Sequence, residues 1–401
     1  MPIMPFPFIL PTTSSFAFSS YFESSTHPSL PLSASTYRGV VRDALKKHKR
    51  LSPREQTANL SSILQSLNNY IPYLLAVDSG LAGQLVAEEE LDIVLKSTPS
   101  LEWRPTLSDS AIPGRKTARL KIHSLEYEIY FALSTLAYVY TLLSRASLHP
   151  LYSSASASPS PEQRVSAITI ATKNLLLAAS IHDHLSRRAD QLPSEPPSVD
   201  INKSTFRALS SLALAEATLL AVLKDDPYPA AVAQDRNDND KEWMIRAPQI
   251  PKVRAHLFAR LCLAAAEHAA NAFSLLNSTS AKGQGRINPD LVKYAEDLRK
   301  SGKGKACRFF GIDAELGGQT GAGIAWLQAG LHELGFGAKD ESSKKGLGLG
   351  KLKKGWSERR EDKKVEKGGA WGTDAGKLEE ARVLEMLEKK WTKENDTVSV
   401  S

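Results

Sequence analysis

The chain has 401 residues, 42% of them hydrophobic, 24% charged and 7% aromatic, with a formal net charge of +7. This balance excludes wholesale disorder and fits a soluble, helix-leaning chain too long for one small core. Two cysteines, Cys262 and Cys307, build neither a disulfide framework nor a structural zinc site, which points to a reducing compartment. The modest positive excess favours acidic partners without choosing among them.

The N-terminus is apolar at Phe6, Phe8, Ile9 and Leu10 but broken by Pro2, Pro5, Pro7 and Pro11, with no basic leader, so it does not read as a secretory signal. No apolar run reaches the ~18 residues of a membrane span. Residues 1–35 predict short extended structure around Phe16 and Phe18. Helical periodicity begins near Thr36. A second helix follows Ser52, with Pro53 in its first turn and Glu55 completing a capping box. Its stripe runs Leu60, Ile63, Leu64, Leu67, Ile71, Leu74 and Leu75, past Pro72, which is expected to kink it.

Gly83 to Ser110 predicts a short helix and an irregular stretch. A long, nearly all-apolar helix over about 118–147 is the candidate central helix. Further helices are expected over 162–191, 204–223, 251–277, 289–300 and 303–335, the last loosened by Gly317, Gly318 and Gly321. A polar insertion at 224–242 and a Gly- and Lys-rich insertion at 337–376 interrupt them; the second reads as basic and disordered. A final amphipathic helix carries Leu378, Ala381, Leu384, Leu387 and Trp391 on one face. Antiparallel helical pairs without evident strands after the N-terminus predict an all-α, elongated, TPR-like body without a sequence repeat of fixed period.

Tests for chemistry fail one by one. His182-Asp183-His184 places two imidazoles two residues apart, off a common helical face, and reads as solvated surface. His332-Glu333 opens a zincin-like pattern, but Phe336 stands where the second His belongs. Asp235, Asn237 and Asn239 open like a calcium loop, but Asp240 replaces the turn glycine and Arg246 the bidentate acid. The run Gly346 to Lys351 lacks the first glycine and the hydroxyl of a phosphate loop, and Gly321-Ala322-Gly323 lacks the third glycine of a dinucleotide fingerprint. Cys262 sits among apolar residues and reads as an inert core thiol. No catalytic constellation, cofactor site or metal site is left. The basic segment 339–367 holds one aromatic, Trp356, among interleaved acids, too few to stack bases, so nucleic acid is not the expected partner.

Several segments, in order, resemble the BRO-domain family: Leu125 to Phe131, Leu212 to Ala217 (with Glu216 where Gln is usual), Arg260 to Glu267, Gly321 to Leu327, and the closing Lys393-Glu394-Asn395-Asp396. Within that family the stretch Phe6 to Thr13, the helix start Leu51 to Arg54 and Asn395 to Val398 are most similar to the fungal pH-response regulators. The resemblance implies a banana-shaped BRO-type domain over 1–398 with a TPR-like helical-pair core, residues 399–401 beginning a C-terminal tail. Where ALIX-like members carry a docking Tyr after the closing signature, this chain has Ser399, which puts that role in doubt.

The resemblance also implies a non-catalytic adaptor that binds the C-terminal amphipathic helix of an ESCRT-III subunit of the charged multivesicular body protein class. It would link that subunit to alkaline ambient-pH signalling, in which a separate calpain-like protease activates a zinc-finger transcription factor. Pathway protease or receptor components are further implied partners. The place would be cytoplasmic, with recruitment to endosomal or plasma-membrane ESCRT sites. The implied contact residues are Leu257 and Leu261, with Ala221 or Val222 from the preceding helix and Val165 and Thr169 from the one before. Leu257 and Leu261 share a helical face by spacing alone, which a pair of core leucines satisfies equally. The alternative is a TPR-like peripheral membrane module whose basic insertion meets anionic lipid.

Overall fold

The computed structural model describes residues 3–86, 88–109, 117–152, 160–192, 195–229, 250–281, 285–336 and 371–398. Among these residues nine helices follow one another. They are α1 (Ser29–His48), α2 (Pro53–Leu81), α3 (Leu125–Leu148), α4 (Pro161–Ala189), α5 (Lys203–Asp225), α6 (Lys252–Ala281), α7 (Pro289–Leu316), α8 (Thr320–Glu333) and α9 (Lys377–Val398). Each helix packs on the next in the chain, the quasi-one-dimensional order of a helical solenoid. The all-α class expected from the sequence is the one observed.

Local chemistry explains most boundaries. The Glu55 carboxylate accepts the Ser52 backbone N–H at 2.9 Å, and α2 then runs unbroken through Pro72 with Leu60, Ile63, Leu67, Ile71 and Leu74 buried. A second capping box, Ser160 with Gln163, starts α4. Helix α1 begins at Ser29 rather than near Thr36, because Pro31 lies in its first turn, where the missing N–H has no intrahelical partner to lose.

Strands occur where the sequence predicted a short helix. Seven short strands are described: β1 (Thr12–Thr13), β2 (Phe22–Ser24), β3 (Leu85–Val86), β4 (Glu89–Glu90), β5 (Ile93–Leu95), β6 (Leu101–Arg104) and β7 (Leu120–Ile122). They pair antiparallel in the order β1-β6-β7, with β2-β5 and β3-β4 as separate ribbons. In β6, Leu101 and Trp103 point inward while Glu102 and Arg104 are half-buried, a period of two that four residues are too short to announce. Pairing of β7 with β6 holds residues 120–122 extended, so α3 starts at Leu125 rather than near 118.

No break separates 289–300 from the following helix. A Cβ on Gly302 would lie 3.1 Å from Ala266 Cβ, and one on Gly304 2.9 Å from Leu334, so these glycines admit close neighbours inside α7 rather than ending it. The chain breaks at Gly317–Gly318, where Gly318 has φ +74°.

Three buried ionic hubs tie distant segments together. Glu128 of α3 accepts from Arg38 Nε at 2.8 Å, Tyr70 Oη at 2.8 Å and Trp103 Nε1 at 2.5 Å, joining α1, α2, β6 and α3. Arg308 of α7 donates to Asp226 at 2.6 Å and Glu380 at 2.6 Å, and Lys305 also pairs with Glu380, so two cations face two carboxylates with no net charge left to bury. Burial pushes the Asp226 carboxyl up, but Arg308 outweighs it and holds the group below its usual range. The third hub, at Glu216, holds the N-terminal chain: Phe6 N–H donates to its Oε1 at 2.9 Å, and Phe8 stacks on Tyr138 at 4.6 Å.

Both insertion boundaries shift. Asp226 and Tyr228 lie in the core beside Arg308, so the polar insertion does not begin at 224. Trp371 and Ala375 are buried, so the packed chain resumes at 371 rather than after 376. Residues 230–249, which include the calcium-loop-like stretch, and 337–370, which include the basic segment and the glycine run, lie outside the described residues. Helix α9 closes this end with Leu384, Leu387 and Trp391 buried. Helices α4 and α5 are each long and apolar enough to cross a membrane, yet both pack within the bundle.

Candidate partner groove across three helices

Helices α4, α5 and α6 lie side by side, antiparallel in turn. Two hydrogen bonds fix α4 against α5: Arg164 donates to the Leu223 carbonyl at 3.2 Å and Ser210 to the Ala179 carbonyl at 3.0 Å. One fixes α5 against α6, from Asn271 Nδ2 to Ser211 Oγ at 3.1 Å. These contacts bring the start of α4, the end of α5 and the start of α6 to one end of the bundle. Val165 and Thr169 on the first half of α4, Ala221 near the end of α5, and Leu257 and Leu261 on the first half of α6 lie toward that end.

Exposure sorts the six expected residues. Leu257 is 50% exposed and Val165 38%, Thr169 and Ala221 are exposed, and Leu261 is half-buried. Val222 is a correction. It is 1% exposed and belongs to the main core, because its position on α5, about 100° on from Ala221, turns it inward. Of the two residues offered for α5, Ala221 is the one that reaches the surface.

The structure extends the site beyond those positions. The outward stripe of α5 is Leu214, Thr218 and Ala221, spaced four and three apart and uncharged, the first two half-buried and the third exposed. On α4 the matching stripe continues through Thr172 to Leu176, which is 48% exposed. On α6 it continues through Ala264 to His268, both half-buried. Most of α5 is buried and much of α4 exposed; α5 packs between α4, which exposes Val165, Thr169 and Leu176, and α6, which exposes Leu257 and half-buries Leu261. The signal was present in the sequence over 214–221, where the outward positions of α5 hold Leu, Thr and Ala, with charges only further out at Arg207, Lys224 and Asp225. Such a face admits the apolar stripe of one further helix. It offers no acid–base pair and no nucleophile.

Other candidates carry less. His182 is not solvated surface as expected but buried, lying between Tyr138 at 5.8 Å and Phe206 at 6.5 Å; burial pushes its pKa down to about 3, which keeps it neutral. His184 is exposed, and Asp183 pairs with Arg187. Cys262 is buried and burial pushes its thiol up to about 12, so it is inert. Gly323 lies where α7 and α8 touch, with a Cβ there meeting the Gly311 carbonyl at 3.1 Å, a packing role. Among the described residues no group of three His, Cys, Asp or Glu is placed to hold a metal. A pocket of about 400 Å³ beside α1 is lined by Phe16, Tyr21, Ser35, Arg38, Gly39 and Arg42 among others, and its polar groups serve the protein itself. Ser35 accepts from Phe18 N–H at 2.7 Å and donates to the Pro31 carbonyl, Arg42 pairs with Asp43, and Arg38 with Glu128.

Comparison with known proteins gives the context. No family model matches the chain. The chain is 45% identical to the pH-response regulator protein palC of Emericella nidulans, over 99% of its own length and 84% of that protein. It is 25% identical to the protein of the same name from Cryptococcus neoformans var. neoformans, over 98% and 86%. Among solved structures, it superposes on a Bro1 domain described for endosomal targeting with a TM-score of 0.54 and 17% identity, covering 100% of this chain and 88% of that one. It superposes on the ALIX BRO1 domain in complex with CHMP4C with a TM-score of 0.51 and 17% identity, covering 92% and 87%. These two likenesses give the fold, that of a BRO1 domain. The identity to the Emericella protein over nearly the whole chain gives the family: this chain belongs to the palC family of pH-response regulators.

Proposed function

We propose that this chain is a non-catalytic adaptor that seats the C-terminal amphipathic helix of an ESCRT-III subunit in the groove over α5. The observation that carries the reading is exposure on three consecutively packed helices: Val165 on α4 and Leu257 on α6 are exposed, and α5 between them turns half-buried Thr218 and exposed Ala221 outward. Support comes from the BRO1 fold, which in the ALIX neighbour is described in complex with CHMP4C. Bound there, the partner would recruit the adaptor from the cytoplasm to endosomal or plasma-membrane ESCRT sites. Family membership supports a place in pH signalling. The finer step is that the adaptor brings ESCRT-III to a separate calpain-like protease that processes a zinc-finger transcription factor.

A wall leucine that anchors a helix contributes on the order of 2 kcal/mol, and an aspartate in its place sets a desolvated charge against apolar partner side chains. Leu257→Asp is therefore expected to abolish binding of an ESCRT-III C-terminal peptide in a fluorescence titration, with circular dichroism and melting temperature unchanged because Leu257 is half exposed. Parental affinity in the folded variant contradicts the site.

A further inference from the structure

The N-terminal chain does not merely cover the bundle. It threads between two buried ionisable side chains that face it from different helices. Arg145 of α3 donates to the Pro5 carbonyl and, at 2.9 Å, to the Trp371 carbonyl, and its guanidinium lies 5.5 Å from the Trp371 ring. Glu216 of α5 accepts the Phe6 N–H at 2.9 Å. Tyr294 of α7 completes the set: its hydroxyl lies 2.8 Å from Glu216 Oε1 and 2.7 Å from the Met4 carbonyl. All three side chains are buried. Segment 371–376 closes over the same place, with a Cβ on Gly372 reaching to 2.7 Å from Met4 Cβ.

Hydrogen-bond arithmetic makes this arrangement two-state. A tyrosine hydroxyl has one proton to donate, and here two acceptors stand within reach of it. When Glu216 is protonated, its carboxyl donates to Tyr294 Oη and Tyr294 donates to the Met4 carbonyl, so every group is satisfied. When Glu216 is ionised it can only accept. Tyr294 then turns its proton to the carboxylate, and the buried Met4 carbonyl loses its donor, an expensive state for a buried polar group. Arg145 stays cationic, although burial lowers it to about 10, and attracts the carboxylate. Burial outweighs that attraction and the Tyr294 and Phe6 hydrogen bonds, leaving the Glu216 carboxyl at about 7. Asp374 also acts electrostatically on Tyr294 and helps hold its phenol in the neutral form, after burial and Glu216 itself. The Glu128 hub differs in this respect, since its carboxylate is paired directly with Arg38.

We propose that Glu216, Tyr294 and Arg145 form a proton-operated latch on the N-terminal chain: closed when Glu216 carries a proton, and released over residues 3–8 when it loses it. Release would uncover Ile3, Met4, Phe6 and Phe8 as the pH rises.

The test is hydrogen exchange of the full chain, read on an N-terminal peptide and scaled to the intrinsic chemical rate at each pH. Pro5 and Pro7 carry no amide proton, so the peptide reports few sites, Phe6 among them. One proton linked to opening changes protection about tenfold between pH 6 and pH 8, with protection falling as pH rises and α6 and α7 unchanged. Glu216→Gln cannot ionise, and its amide donates to Tyr294 as the acid does; it is expected to keep high, pH-independent protection. Tyr294→Phe removes the relay and is expected to lower protection already at pH 6. Flat protection in the parent, the same pH dependence in Glu216→Gln, or an equal loss across α6 and α7 would each overturn the proposal.

Discussion

The two long faces of α5 invert the usual distribution of polarity. Its inner face buries a carboxylic acid, Glu216, against the N-terminal chain, while its outer face leaves Leu214, Thr218 and Ala221 at the surface with no charge among them. A buried acid is tolerated because Phe6 N–H and Tyr294 Oη satisfy it. An apolar outer stripe flanked by further exposed leucines is what an incomplete interface has, since scattered single residues need no explanation but aligned ones do. Polarity alone therefore misassigns both faces, and hydrogen-bond satisfaction together with alignment across neighbouring helices assigns them.

The comparison breaks first where buried charge depends on a partner. Glu128→Leu leaves the Arg38 guanidinium, 1% exposed, without its carboxylate, and uncompensated buried charge costs ~3–5 kcal/mol. Urea unfolding is expected to show a loss of that size. A loss under ~1 kcal/mol would mean that water reaches this hub. The same logic sharpens the assignment on α5 itself. Val222→Asp, one residue from the outer stripe but facing the core, is expected to lower the melting temperature severely or prevent folding, whereas Ala221→Asp is expected to leave stability within about 0.5 kcal/mol of the parent. Equal effects at the two positions would erase the distinction between floor and core.

Glu216 makes the inner face pH-dependent, with a definite sign. Its carboxyl is raised from an ordinary 4.5 to about 7, so the folded chain binds the proton more tightly than the unfolded chain. Its contribution to stability is present at low pH and is lost as pH rises from 4.5 to about 7, by at most ~3 kcal/mol. His182 works in the opposite direction. Its pKa is lowered from 6.5 to about 3, so folding loses stability as pH falls through that window. The parent's profile mixes the two, and the difference between parent and Glu216→Gln isolates the first. That difference in unfolding free energy is expected to change between pH 4.5 and 7 and to level off above. A constant difference contradicts the assignment.

Much of the fold was legible because long helices repeat their signal. The stripe of α2, its capping box at Ser52 and the closing face of α9 at Leu384, Leu387 and Trp391 are read directly from spacing. What escaped was short or long-range. The strands at 85–104 are two to four residues long, below the length at which alternation separates from chance. His182 looked like surface because its burial depends on Tyr138 and Phe206, contributed by other helices. The break expected between 300 and 303 does not occur, and the close neighbour that Gly302 admits there, Ala266, lies on another helix. At the groove the same limit applied: Leu257 and Leu261 share a face by spacing, but which of Ala221 and Val222 reaches it depends on how α5 is rotated against α4 and α6. The floor residues Leu214 and Thr218 become meaningful once the walls are in place.

A smaller effect separates binding from stability on the outer face. Leu176→Ser is expected to change stability by less than about 0.5 kcal/mol, because the side chain is already half exposed, and to weaken peptide binding several-fold if the partner helix extends along the whole wall. Unchanged affinity would confine the contact to the end marked by Leu257.

The central claim is that a partner helix lies on the small-residue floor of α5, and filling that floor tests it most directly. Ala221 is exposed near the end of α5, so Ala221→Trp adds bulk where the partner should sit without displacing any core side chain. In a calorimetric titration with an ESCRT-III C-terminal peptide, the parent is expected to bind and Ala221→Trp to lose binding at unchanged melting temperature. A folded Ala221→Trp variant that binds with parental affinity would contradict the account.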